Sequence, residues 1–157
     1  MGAEKKGDDR MDHRKLAAEL FEGGYNCAQA VAAAFSDVTG ISPAQSARMV
    51  SGFGGGMGRM REVCGAVSGM FFVASTLYGY DQPNQDLQKE TYTMIQQLAE
   101  AFREEAGSII CREILKNPPS DPTPTARTEE FYATRPCTRM VVLAAHLLDE
   151  YMKSHKL

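Results

Sequence analysis

Apolar residues recur at helical spacing along nearly the whole chain, and two-residue alternation is rare. From Asp12 to Glu22, Leu16, Leu20 and Phe21 share one face behind a capping aspartate, and Gly23-Gly24 stops the helix. Asn26 caps a second helix, CAQAVAAAFSDV, with Val31 and Phe35 four apart; Gly40 ends it. Ser42 and Pro43 open a third helix reaching about Val50. A glycine loop follows, then a fourth helix from Val63 or Cys64 to about Tyr78, then a turn over Gly79 to Pro83. The longest helix is expected over Gln85 to Glu105, with Leu87, Ile95, Leu98 and Phe102 inward. Gly107-Ser108 breaks it before the short helix CREILK. NPPSDPTPT, with four prolines in nine residues, reads as an extended surface connection. A last helix starts around Pro136, with Leu143, Leu147 and Leu148 on its buried side.

This pattern predicts an all-α fold, a single-domain helical bundle of about five to seven helices. With 157 residues the chain is long enough to bury a real core. Residues 1–11 are expected to be a polar leader and 12–157 one helical domain carrying four cysteines. The formal net charge of −3 argues against nucleic-acid binding. The first residues lack an apolar export segment, and AVSGMFFVASTLYGY is too short and interrupted to span a bilayer. A soluble, cytoplasmic protein without membrane insertion is expected.

Cysteines at 27, 64, 111 and 137 lie too far apart for a CxxC redox pair or a zinc knuckle. Each nevertheless falls at an expected helix start. Helix N-termini carry unpartnered N–H groups and a positive dipole end, so a thiolate there is favoured and its pKa falls. Arg59, Arg61, Arg112, Arg135 and Arg139 all lie within five positions of a cysteine and would add to that effect. The plain alternative is that the cysteines pack as small core hydrophobes.

Seven glycines stand between Ser51 and Met70. A Walker loop is excluded, because no lysine occurs between Lys15 and Lys89. A dinucleotide loop fails too: counted from Gly52 the third glycine position is Met57, and from Gly54 it is Arg59. The run is better explained by positive φ angles and close backbone approach. Gly54, Gly55, Gly56, Gly58 and Gly65 are therefore candidate cofactor-contacting positions, with loop N–H groups folded around an anionic centre. A tight turn with no ligand is the plain alternative. Gly65 and Gly69 bare one face of the following helix, although a mid-helix glycine costs about 1 kcal/mol.

CGAVSG at Cys64–Gly69, with GYNCAQAV, GSIICREIL and RPCTRMV around the other three cysteines, resembles the C_GCAxxG_C_C family, whose members are described as redox-active. The family label writes GCA where this chain has CGA. The resemblance covers most of the chain. It implies a four-cysteine redox protein, often encoded beside transporter genes. A related domain is joined to multihaem cytochromes of the split-Soret type, where an iron–sulfur centre has been suggested. Cys27, Cys64, Cys111 and Cys137 are then expected to ligate a [2Fe–2S] cluster. Zinc on the same four thiolates is an alternative. This chain has no CxxCH, so it carries no attached c-type haem.

Two other readings stay open. One is metal-free thiol–disulfide chemistry, with Cys64 as nucleophile and another cysteine as resolving partner. The other is a non-catalytic helical binding module, transporter-associated, whose cysteines only pack. The expected partner is an unidentified redox protein, and a homodimer is compatible with the sequence. His13 and His155 read as exposed, and His146 as a packed or surface residue rather than a ligand. No Ser-His-Asp order or HExxH element supports a hydrolase.

Overall fold

A computed structural model describes residues 12–156, so the expected polar leader lies outside the described residues. Nine helices follow one another in that span: α1 (His13–Glu22), α2 (Cys27–Ala34), α3 (Ser36–Thr39), α4 (Pro43–Met49), α5 (Gly65–Tyr78), α6 (Gln85–Ala106), α7 (Cys111–Ile114), α8 (Glu129–Thr134) and α9 (Cys137–Ser154). Six of them have seven or more residues, and no strand is present among the described residues. The protein is an all-α helical domain. None of its described helices is long and apolar enough to cross a membrane.

The predicted caps work as side-chain acceptors: Asp12, Asn26 and Ser42 accept from the Lys15, Gln29 and Gln45 N–H groups, and the Gln29 side-chain oxygen accepts from the Asn26 N–H. Asn84, not anticipated as a cap, accepts from the Leu87 N–H in the same way. Gly40 and Gly107 close α3 and α6 in the left-handed region. The expected second helix is broken at Phe35, whose ψ of 18° starts the separate turn α3. There the Ser36 hydroxyl donates to the Ala33 carbonyl and competes with the regular ladder. α8 is unanticipated, although Thr128 followed by Glu129 and Glu130 is its cap signal: the Thr128 hydroxyl accepts from the Phe131 N–H.

α2 and α5 form the centre. In α2, Ala28 and every residue from Ala30 to Ala34 are buried. α5 is apolar around most of its girth, as suits a helix enclosed by others. The bare glycine face of α5 receives α2. A Cβ on Gly69 would lie 2.8 Å from the Ala28 carbonyl oxygen and 3.0 Å from the Val31 Cβ. α1, α6 and α9 wrap this pair, contributing Ala17, Phe21, Leu98, Phe102, Val141 and Leu148 to one core. Leu87 departs from its expected inward position. It is exposed near the start of α6, whose buried face runs instead through Met94, Leu98, Ala99 and Phe102.

His13 also corrects the sequence reading: it is buried. Its ring stacks on Phe35, with centroids 4.0 Å apart. Nδ1 bonds Asp149 at 2.7 Å and Nε2 bonds Asp37 at 2.8 Å. Three distant segments meet there, a pairing that no local pattern near the N-terminus announces. Burial works to lower the imidazole pKa, but the hydrogen bonds and charges of Asp149 and Asp37 outweigh it and raise the value.

Candidate functional site

Each cysteine stands where a helix begins. Cys27, Cys111 and Cys137 are the first residues of α2, α7 and α9, and Cys64 precedes α5 as its N-cap. Together they line one cavity of ≈ 30 Å³, with Gly55, Gly56, Gly65, Arg61 and the apolar side chains Ile114, Leu115 and Met140. A cavity of that size is far below the roughly 300–1,000 Å³ of organic-ligand pockets.

Cys27 and Cys137 stand close enough for each thiol to shift the other's pKa. The segments that carry Cys64 and Cys111 are joined by the antiparallel bridge between Val63 and Ile110. The Cys64 N–H donates to the Ile109 carbonyl at 2.7 Å, and the Cys111 N–H to the Glu62 carbonyl at 2.6 Å. In such a bridge, positions 64 and 111 share the face opposite Val63 and Ile110.

The glycines act mainly through the volume they leave empty. A Cβ on Gly56 would lie 2.6 Å from the Cys111 Cβ, and one on Gly65 would lie 3.1 Å from the Cys27 Cβ. A Cβ on Gly54 would strike the Asn26 side chain that caps α2. Gly55, Gly56 and Gly58 have positive φ, as do the neighbouring Met57, Arg59 and Arg61. Three non-glycine residues in that region mark a strained loop held by its surroundings. Within the loop, the N–H groups of Met57, Arg59, Arg61 and Glu62 donate to the carbonyls of Phe53, Gly54, Gly55 and Gly56. Backbone N–H groups that favour a thiolate at Cys64 come from Val67 and Ala66, in the first turn of α5.

Electrostatics separate the thiols, so the expectation of four lowered pKa values is corrected. Burial pushes Cys64 up to about 12, against the opposing N–H groups of Val67 and Ala66. Burial also raises Cys111, although Arg61 Nη1 donates to its sulfur at 3.6 Å and resists the shift. The neighbouring Cys137 thiol and burial hold Cys27 well above the usual thiol range. Cys137 falls to about 7; the neighbouring Cys27 thiol acts first, and Arg135, Arg127 and Arg61 add to it against burial. Of the four thiols, Cys137 alone is shifted downward.

Sequence nearness selected the arginines only in part. Arg59, Arg61 and Arg135 do line the cavities at the site. Arg112 turns away to Glu62 and the Met60 carbonyl, and Arg139 is exposed. Arg127 was missed, since it lies ten positions from the nearest cysteine. It donates to the Phe21 and Tyr25 carbonyls, both at 2.8 Å, with its guanidinium 4.3 Å from the Phe21 ring centre. Those contacts tie the end of the proline-rich segment to the α1–α2 turn.

A family model described as "Putative redox-active protein (C_GCAxxG_C_C)" matches residues 25–151. The chain belongs to this family. All four cysteines and the CGAVSG element of this C_GCAxxG_C_C protein lie inside the matched span. No curated protein and no solved structure matches the chain. The family description is redox-active, with no more specific reaction attached.

Proposed function

We propose that this C_GCAxxG_C_C protein transfers or senses electrons through a [2Fe–2S] cluster that Cys27, Cys64, Cys111 and Cys137 would hold. The observation that carries the reading is the lining of one small cavity by all four cysteines, each brought from a separate helix start. A four-thiolate zinc site draws on the same residues. Among the described residues no group of three or more Cys, His, Asp or Glu is placed to hold a metal ion, so either metal would require the four thiols to draw closer together. A two-iron cluster supplies one-electron chemistry tuned by nearby charge, hydrogen bonds and solvent exposure.

The chain's own residues have definable tasks in that role. The Val67 and Ala66 N–H groups and the Arg61 guanidinium stabilise negative charge on Cys64 and Cys111. Ile114, Leu115 and Met140 limit water. Gly56 and Gly65 let two backbones close on the sulfurs.

The metal-free reading has its own support: Cys27 and Cys137 line both cavities together, and the Cys137 pKa is lowered to about 7. In that chemistry the Cys137 thiolate attacks a partner disulfide and releases one partner thiolate. Cys27, deprotonated, then attacks the mixed disulfide, forms the Cys27–Cys137 bond and releases the second thiolate. The partner disulfide is reduced by two electrons, and the two cysteines are oxidised.

Anaerobic purification and reconstitution, followed by iron and acid-labile sulfide analysis, separates the two readings. The cluster reading expects about two of each per chain, visible charge-transfer absorption, and loss of both in Cys-to-Ser variants. Four free thiols and no sulfide after anaerobic reconstitution would end it. A Cys27–Cys137 disulfide formed by a small disulfide and reversed by thiol would then favour the metal-free reading.

A further inference from the structure

A second cavity, of ≈ 440 Å³, opens beside the cysteines and shares Cys27, Gly55, Arg61 and Cys137 with the first. Four guanidinium groups line it: Arg59 and Arg61 from the glycine loop, and Arg127 and Arg135 from the two sides of α8. Among the described residues, no Asp or Glu side chain lines it. Asp121 approaches Arg59 at 3.3 Å, and the other three arginines have no carboxylate within ion-pair distance among the described residues.

Neutral acceptors orient these cations without cancelling their charge. Arg61 Nε donates to the Pro119 carbonyl at 2.8 Å, and Arg127 to the Phe21 and Tyr25 carbonyls. Arg59 Nη2 donates to the Thr125 hydroxyl at 2.8 Å. Arg135 sits with its guanidinium 5.4 Å from the Phe131 ring centre. Arg61 is only 5% exposed, and the Arg59 side chain 14%. Like charges held together out of water repel and lose solvation. A chain with net charge −3 nonetheless gathers four of its ten arginines here. Each guanidinium has five N–H donors, so donors remain for a ligand after the protein contacts are made. The volume falls within the roughly 300–1,000 Å³ of small-molecule sites.

We propose that this arginine-lined cavity binds a small molecule bearing oxyanion groups and presents it to the Cys27–Cys137 side of the cysteine site. Planar guanidinium forks suit carboxylate, phosphate and sulfur oxyanions alike. The ligand's part as electron donor or acceptor rests on the redox reading above; its binding does not.

Calorimetric titration of the purified protein at low salt tests it, with pyrophosphate, thiosulfate and malonate as separate probes for the three chemistries. Saturable binding of at least one probe is expected, weakened by added chloride. Arg135→Gln is expected to weaken it by about tenfold or more, while Arg135→Lys keeps part of the affinity. Melting curves of the variants check folding, and Arg59→Gln replaces Arg135→Gln should that variant be unstable. No saturable binding of any probe at millimolar concentration would overturn the proposal. Binding equally tight in the Gln variant would also overturn it, by placing the anion elsewhere. Because the isotherm needs no electron transfer, failure of the redox reading would leave this result standing, and the converse also holds.

Discussion

Gly56→Ala and Gly40→Ala separate the two reasons for a glycine. Both residues have nearly the same backbone conformation, with φ of 74° at Gly56 and 76° at Gly40. Their surroundings differ. A Cβ on Gly40 meets nothing within 4 Å, whereas one on Gly56 lies 2.6 Å from the Cys111 Cβ and 2.8 Å from both the Arg61 Cα and the Glu62 backbone nitrogen. Gly40→Ala therefore carries only the left-handed penalty, about 1–2 kcal/mol. Gly56→Ala carries that plus a forced shift of backbone or of α7, about 1–3 kcal/mol more. For a domain of this size each kcal/mol lowers the melting temperature by about 2–4 °C. Urea denaturation of the two variants beside the parent gives the difference directly, and the alkylation rate of Cys111 reports on the cysteine cavity. Gly56→Ala is expected to be the less stable by at least about 1 kcal/mol and to alkylate faster at Cys111, with Gly40→Ala matching the parent there. Equal losses in the two variants would mean that the glycine loop does not press on Cys111, and the steric account would fail.

His13 should impose a pH slope on stability. Its folded pKa is raised above 6.5, so the stabilisation is fully present below the unfolded value and is lost as pH rises through the folded one. Denaturation midpoints should therefore fall as pH rises above 6.5, and His13→Gln should remove that slope; an unchanged slope would place its origin elsewhere. In the metal-free reduced protein, iodoacetamide should modify Cys137 first, with a rate rising through pH about 7, while Cys64, near 12, stays unmodified; peptide mass spectrometry reads the order. Faster labelling of Cys64 would restore it as the nucleophile. Arg127→Ala should destabilise by about 2–3 kcal/mol in urea, because the Phe21 and Tyr25 carbonyls lose a charged donor; a change below about 0.5 kcal/mol would class the contact as an ordinary surface one.

Helix starts were readable because capping is local. Asp12, Asn26 and Ser42 before Pro43 all act within one turn, so their chemistry is contained in a few consecutive letters. The same holds for the four cysteines at helix starts and for the bare face of Gly69, which needs only helical periodicity to be seen. Thr128 carried a signal of the same kind ahead of Glu129 and Glu130. Arg127 carried none, because its partners Phe21 and Tyr25 lie 106 and 102 positions away.

The sequence by itself determined the all-α class, most helix boundaries, the family, and the placing of four cysteines at helix starts. These follow from short-range physics: periodicity, caps and the conformational freedom of glycine. The tertiary structure alone decided how the four thiols differ. Burial raises Cys64 and Cys111, whereas Cys27 and three arginines from separate segments lower Cys137, so one residue type at one kind of position acquires opposite shifts. Desolvation and long-range charge depend on what surrounds a group from all sides. Packing supplies those surroundings, and for these cysteines they come from chain segments scores of residues apart.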